Sequence, residues 1–177
     1  MKKLIVAAAV VCAAVFAQAA TVNWTISGVK AEGNTSPTAG WAVMAFYTEA
    51  GAGSDAIVSA INSKTAGSLA FDTQALKVSM SKGKYGPADV AVAGLDTSKN
   101  YDFYFVVFND ADATKATAYA MESALDKSYS GMDAKYAVGG AFSSSTAWSP
   151  ISSGVPEPTS GLLVLLGVAG LALRRRA

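Results

Sequence analysis

Apolar and polar residues alternate in short bursts along most of the chain, with Gly and Ser between the bursts. Alternation at period two places successive side chains on opposite faces of a strand, so each burst predicts a strand. Val22-Asn23-Trp24-Thr25-Ile26 alternates strictly, and residues 41–48 form a continuous apolar and aromatic run between Gly40 and a Glu49-Ala50-Gly51 turn. Residues 75–80 alternate weakly, and residues 88–93 are short and rich in Val. The strongest strand is expected over residues 101–109, with Phe103, Phe105 and Val107 on one face. Weaker strands are expected over residues 117–121, 136–138 and 146–151, while residues 123–140 as a whole are poorly patterned. Ile57, Val58 and Ile61 recur instead at helical spacing after Ser54, which predicts a helix over residues 54–63 with Ser54 as its N-cap. The fold class expected is mainly β: an antiparallel β-sandwich body with one short helix.

Both ends depart from this pattern. Lys2 and Lys3 precede an apolar run over residues 4–16, and Ala17-Gln18-Ala19 follows with small residues at alternate positions. That is the layout of a secretory signal peptide, with cleavage expected after Ala19, where Ala17 and Ala19 fill the small pockets of signal peptidase. Cys12 does not make a lipoprotein box, because Val11 stands where a small residue is needed. At the other end, Ser152-Ser153-Gly154 leads into Val155-Pro156-Glu157-Pro158, an uncharged run over residues 161–173, and Arg174-Arg175-Arg176. The two prolines forbid regular helix or central strand and keep the chain extended. Thr159 and Ser160 are placed to cap a hydrophobic helix over the uncharged run. Such a helix is about 20 Å long, short against a hydrocarbon core of roughly 30 Å. It seats if the bilayer thins or the arginines snorkel, and those arginines favour the cytoplasmic side. The chain divides accordingly into a signal peptide at residues 1–19, an exported β-rich domain at 20–150, and a linker, transmembrane helix and arginine tail at 151–177.

The C-terminal order of Val155-Pro156-Glu157-Pro158, a short apolar helix and a terminal arginine cluster resembles the PEP-CTERM sorting signal, found in Gram-negative bacteria that make extracellular polymer. The resemblance implies a transient membrane anchor and an exosortase-like membrane protease that cuts near the motif. The body is then released or passed to another surface component. A second, narrower resemblance lies in the body. Leu95-Asp96-Thr97-Ser98-Lys99-Asn100-Tyr101 ahead of the strongest strand is similar to the late loop of fibronectin type III domains, where a tyrosine hydroxyl bonds backbone across a corner. The proline common in that loop is missing here, and a helix near Ser54 is foreign to that family.

Composition then narrows the chemistry. Charged residues are 15% of the chain, the net charge is +1, and there is no His. The single Cys, Cys12, lies in the signal segment. His-dependent triads, Cys-His dyads, His-ligated zinc and a disulfide framework are therefore excluded. Residues 20–150 hold nine lysines, twelve acids and no arginine, a net charge of −3. Nucleic acid is a poor partner for such a body. Gly51-Ala52-Gly53-Ser54-Asp55-Ala56, with Asp72 downstream, matches a dinucleotide fingerprint on paper, but no repeated strand–helix pattern surrounds it. Ser79-Met80-Ser81-Lys82 matches S-x-x-K without the partner motifs of serine-acylating enzymes. Asn109-Asp110-Ala111-Asp112 is a carboxylate-rich loop that lacks the EF-hand Gly and Glu, leaving a Ca²⁺ site helped by Asp96 or Asp133 as one reading of it. Asn23 and Asn34 open N-glycosylation sequons, which carry little meaning in a bacterial protein. Trp24, Trp41, Trp148, Tyr47, Tyr85, Tyr104 and Tyr119 are candidates for a sugar-stacking face or for ordinary core. Paired carboxylates for hydrolysis are not forbidden, but nothing marks a pair.

The reading that follows is a non-enzymatic protein without a cofactor, exported to the cell surface or extracellular matrix, with a structural or adhesive role. Its partners are signal peptidase, an exosortase-like protease, the membrane transiently, and extracellular polysaccharide. The alternative is a carbohydrate- or calcium-binding module at the same address.

Overall fold

The structure is a computed structural model that describes residues 19–79 and 82–152; the side chains of residues 34, 78, 79, 82 and 84–88 fall outside that description. The strands are β1 (Ala20–Val29), β2 (Ala42–Glu49), β3 (Asp72–Ala75), β4 (Lys77–Ser79), β5 (Lys82–Val92), β6 (Tyr101–Phe108), β7 (Ala118–Lys127), β8 (Lys135–Ala141) and β9 (Trp148–Pro150). One α-helix, α1 (Asp55–Asn62), follows β2, and short 3-10 turns occupy Glu32–Asn34 and Ala66–Ser68. A four-stranded sheet has the order β4-β5-β1-β8, and a five-stranded sheet has the order β3-β2-β6-β7-β9.

The two sheets face each other across one apolar core. Trp24 and Ile26 of β1, Val43 of β2, Phe103 and Phe105 of β6, and Tyr136 of β8 are buried in it together. Trp24 stacks on Phe105 with ring centroids 5.7 Å apart, and its indole N–H donates to Asp72 Oδ2 at 2.8 Å. A β-strand buried on one face only should alternate, yet every residue of β6 is buried. Phe103, Phe105 and Val107 face the inter-sheet core as expected. Tyr104, Val106 and Phe108 lie instead in a second cluster with Ile57 and Ile61 of α1. The helix thus covers the outer face of the five-stranded sheet. The run Tyr101–Phe108 is apolar apart from Asp102 because both its faces are covered.

Three departures from the sequence pattern have physical causes. First, residues 75–80 are not one strand. β3 pairs with β2 in one sheet, β4 pairs with β5 in the other, and Leu76 turns the chain between them. Leu76 is buried, and its N–H and C=O bond Trp41 C=O and Gly40 N–H at 2.8 and 2.9 Å. Second, the sheets are not wholly antiparallel: β8 runs parallel to β1, with Trp24 opposite Val138. The two strands are far apart in sequence, so no hairpin turn dictates their direction. At the end of this pair Gly28 has φ +77°, and a Cβ there would fall on the Phe142 carbonyl oxygen. Third, Ser54 does occupy the N-cap position of α1, but its side chain makes no capping hydrogen bond. The poorly patterned residues 123–140 supply the second half of β7 and most of β8.

Among the described residues no helix is long and apolar enough to cross a membrane. Residues 1–18 of the signal segment expected at 1–19, and the hydrophobic helix expected over residues 161–173, lie outside the described residues.

Candidate functional site

The loop before β6 forms the corner that Leu95 and Tyr101 suggest. Leu95 is buried, and the Asp96 N–H donates to the Tyr101 hydroxyl oxygen at 3.0 Å. A second tyrosine, which sequence reasoning had not singled out, completes it. The Tyr136 hydroxyl lies 3.0 Å from the Asp96 carbonyl and 2.9 Å from the Lys99 carbonyl and donates to this pair. Tyr136 is fully buried, and burial pushes its phenol up to about 12. Asp102, next to Tyr101, is the buried charged side chain of the described residues. Its carboxylate accepts the Gly51 N–H at 2.9 Å and the Asp126 N–H at 2.7 Å. It therefore joins the β2–α1 turn to the irregular end of β7, where Asp126 has φ 52°. A lone carboxylate inside an otherwise apolar strand is the sequence signal for such a role. Both features hold the fold together.

The carboxylate loop is likewise occupied by its own backbone. Asp110 Oδ1 accepts the Asp112 N–H at 2.8 Å, and Asp112 Oδ1 accepts the N–H and hydroxyl of Thr114 at 3.0 and 2.7 Å. The Thr114 hydroxyl, then its N–H, hold Asp112 below its ordinary pKa. Asp96 precedes β6 and Asp110 follows it, so Asp96 is at the opposite end of the sheet and does not assist this loop. Asp133 also lies away from it, in the β7–β8 turn, where its carboxylate accepts from the Ser130 hydroxyl at 3.2 Å. No group of three or more acids that could hold a metal occurs among the described residues.

The two enzyme-like motifs sit in the wrong settings for their chemistry. Gly51 and Gly53 turn between β2 and α1, but β2 is antiparallel to both its neighbours, and Asp72 is committed to Trp24. A dinucleotide site needs a parallel strand–turn–helix unit. Ser79 and Lys82 face each other across the β4–β5 hairpin, with Met80 and Ser81 outside the described residues. That is not the helix start that an S-x-x-K nucleophile requires. Of the sequon residues, Asn23 donates its side-chain amide to Asp89 at 2.7 Å.

The aromatic candidates separate clearly. Trp24, Tyr104 and Tyr119 are buried, Tyr47 packs edge-on against Tyr101, and the Tyr85 side chain is outside the description. Trp41 and Trp148 are brought together, half-buried, with centroids 5.5 Å apart and planes at 74°. They line a surface cavity of about 200 Å³ with Glu32 and Asn109. A larger hollow of about 560 Å³ lies beneath the 3-10 turn after α1, with Met44, Ile61 and Phe108 as apolar lining and Lys64 and Asp112 among its polar residues. The Lys64 ammonium there donates to the Ala116 carbonyl at 2.5 Å.

The described body is tied down up to both of its ends. Ala19 is exposed, whereas Ala20 is buried at 2% exposure and pairs with Val92 in β1–β5. Ala17 lies outside the described residues. At the other end Ile151 is buried and its N–H donates to the Thr117 carbonyl at 2.8 Å. Ser152 donates its N–H to Asn62 Oδ1 at 3.1 Å. Val155, Pro156, Glu157, Pro158, Arg174, Arg175 and Arg176 follow, outside the described residues.

No curated protein and no solved structure matches the chain. A family model, the PEP-CTERM protein-sorting motif, matches residues 154–176. That span begins two positions after Ser152 and contains both the Pro-Glu-Pro segment and the arginine cluster. The motif marks a secreted precursor, anchored in the membrane by its C-terminal segment until exosortase processes it. The chain is identified on this match as a carrier of the PEP-CTERM protein-sorting motif.

Proposed function

We propose that this protein is a non-enzymatic element of the cell surface or extracellular matrix, with a structural or adhesive role. In this reading signal peptidase removes residues 1–19, the segment after residue 158 holds the precursor in the membrane, and an exosortase-like protease cuts near Pro156-Glu157-Pro158. The observation that carries it is the motif match at residues 154–176, immediately beyond the last bonded residues of the body. A body tied down by buried tyrosines and a doubly bonded Asp102 suits a protein that works by being placed rather than by turnover. Its mature part has no thiol, so its core and hydrogen bonds must hold it without disulfides.

The intact mass of the protein, taken by fraction from its native cells, tests the reading. The expected form lacks both ends, with a C-terminus between residues 156 and 160. Glu157→Ala should leave full-length precursor in the membrane fraction. Normal processing of that variant, or a membrane form that keeps Arg174, Arg175 and Arg176, would remove the support for the sorting role. The carbohydrate alternative is favoured by one feature, the Trp41–Trp148 pair. Among the described residues no cluster of acids favours the calcium alternative.

A further inference from the structure

Trp41 and Trp148 both pack against the inter-sheet core, and together they line one surface cavity with Glu32 and Asn109. The two indoles meet edge to face, with planes at 74°, and both contribute apolar lining to the cavity. Trp148 is fixed by its own N–H, which donates to the Lys30 carbonyl at 2.8 Å. The Trp41 indole N–H has no protein partner among the described residues, and it is not sealed from solvent.

The polar groups around the walls are held in place. Asn109 Oδ1 accepts the N–H groups of Thr117 and Ala118 at 2.9 and 3.1 Å, and Nδ2 donates to the Thr117 hydroxyl at 2.8 Å. These bonds fix which amide atom is nitrogen. They leave its second N–H without a partner among the described residues. Glu32 sits in a pinned 3-10 turn: the Ala31 N–H donates to the Thr35 carbonyl at 3.1 Å, and the Thr35 hydroxyl donates to the Glu32 carbonyl at 3.2 Å. The Glu32 carboxylate is exposed and unpaired among the described residues.

We infer that this cavity binds one uncharged pyranose unit of a polysaccharide, stacked on the Trp41–Trp148 corner and hydrogen-bonded by Trp41, Asn109 and Glu32. A pyranose offers an apolar C–H face to an indole, while its ring-edge hydroxyls both donate and accept. Two free N–H donors and one bidentate acceptor meet that demand. The volume of about 200 Å³ is below the ordinary range for drug-sized ligands, and it suits one ring of a chain that continues into solvent. The Glu32 carboxylate and the net negative body select against uronic acids and other anionic sugars. The inference rests on the exported reading only for where the polymer is met.

Tryptophan emission of the full chain, held in a zwitterionic detergent without sugar headgroups, provides the test. The probes are neutral gluco-, manno- and galacto-oligosaccharides, with oligogalacturonate as the anionic comparison. At least one neutral series should shift the emission saturably, more tightly than the uronate. Trp41→Phe keeps an aromatic packing partner but removes the N–H, and should weaken binding about tenfold. Glu32→Gln, at an exposed position that should not disturb folding, should weaken the neutral sugar several-fold and reduce the preference over uronate. The inference is overturned if no neutral oligosaccharide responds up to its solubility limit, or if both variants bind as the parent does. A response confined to a peptide spanning residues 153–160 would also overturn it, assigning the corner to proline recognition. Sorting is read separately from the mass of the processed chain, so either reading can fail while the other stands.

Discussion

Tyr136 shows how much one side chain can hold here. It is 0% exposed, its hydroxyl reaches two carbonyls of the 95–101 loop, and Tyr101 and Tyr129 meet it edge-on at 5.8 and 5.2 Å. Burial raises its folded-state pKa to about 12, against about 10 for a free phenol. The neutral form is therefore favoured by folding. That contribution is complete below about pH 10 and disappears as pH rises toward 12, amounting to about 2–3 kcal/mol. Tyr136→Phe should lose about 1–3 kcal/mol at neutral pH, because two carbonyls lose their donor. It should also flatten the fall in stability between pH 10 and 12. Urea denaturation at several alkaline pH values reads both effects, and an unchanged alkaline slope would refute the titration argument. The corner itself was legible because Leu95 and Tyr101 are six positions apart in sequence. Tyr136 was not, because its partners lie 37 and 40 residues away.

At the scale of elements, alternation gave the strands but not their partners. β6 was readable because its run is apolar and aromatic apart from Asp102, and the helix was readable because Ile57 and Ile61 repeat at the right spacing. The sheet switch at Leu76 was not, since a buried leucine looks the same inside one strand as between two. The parallel β8 was not either, because its direction is fixed by packing against distant chain. The Trp41–Trp148 corner was only half legible: both residues were candidates, but so were Trp24, Tyr104 and Tyr119, which the fold buries. The short β9 also carries more than its length suggests. It covers the edge of β7 at Ala118, Tyr119 and Ala120, supplies Trp148, and leads into buried Ile151. A chain ended after Ser152 should melt as the full chain does. One ended after Ala147 should lose about 2–5 kcal/mol, through an uncovered strand edge and two vacated apolar sites. Calorimetry of the two truncations decides this, and equal melting temperatures would show that β9 is peripheral.

Across the whole molecule the body's two ends emerge at opposite poles. Ala20 starts β1 beside the Tyr101–Tyr136 corner, while the path through Trp148 and Ile151 leaves from the pole that holds Lys30 and Asn109. A precursor held by its C-terminal segment would therefore turn the Trp41–Trp148 pole toward the membrane and the Ala20 pole away from it. On the proposed sorting route, exosortase would reach the motif close to the folded body. Ser152 is bonded to α1, and Pro156 is four residues further on, so the motif can stand at most about 14 Å from that attachment. A protease that grips an extended Pro-Glu-Pro segment needs room on its N-terminal side. Deleting Ser153 and Gly154 should press the motif against the folded body and leave most of the precursor uncut. Inserting six Gly and Ser residues after Ser152 should leave processing intact, since a flexible spacer costs little and only lengthens the reach. Intact mass of the membrane and released fractions separates the cases. Normal processing of the deletion would mean that the enzyme reads the motif without regard to the body, and that the closeness of Ser152 to the motif has no mechanical role.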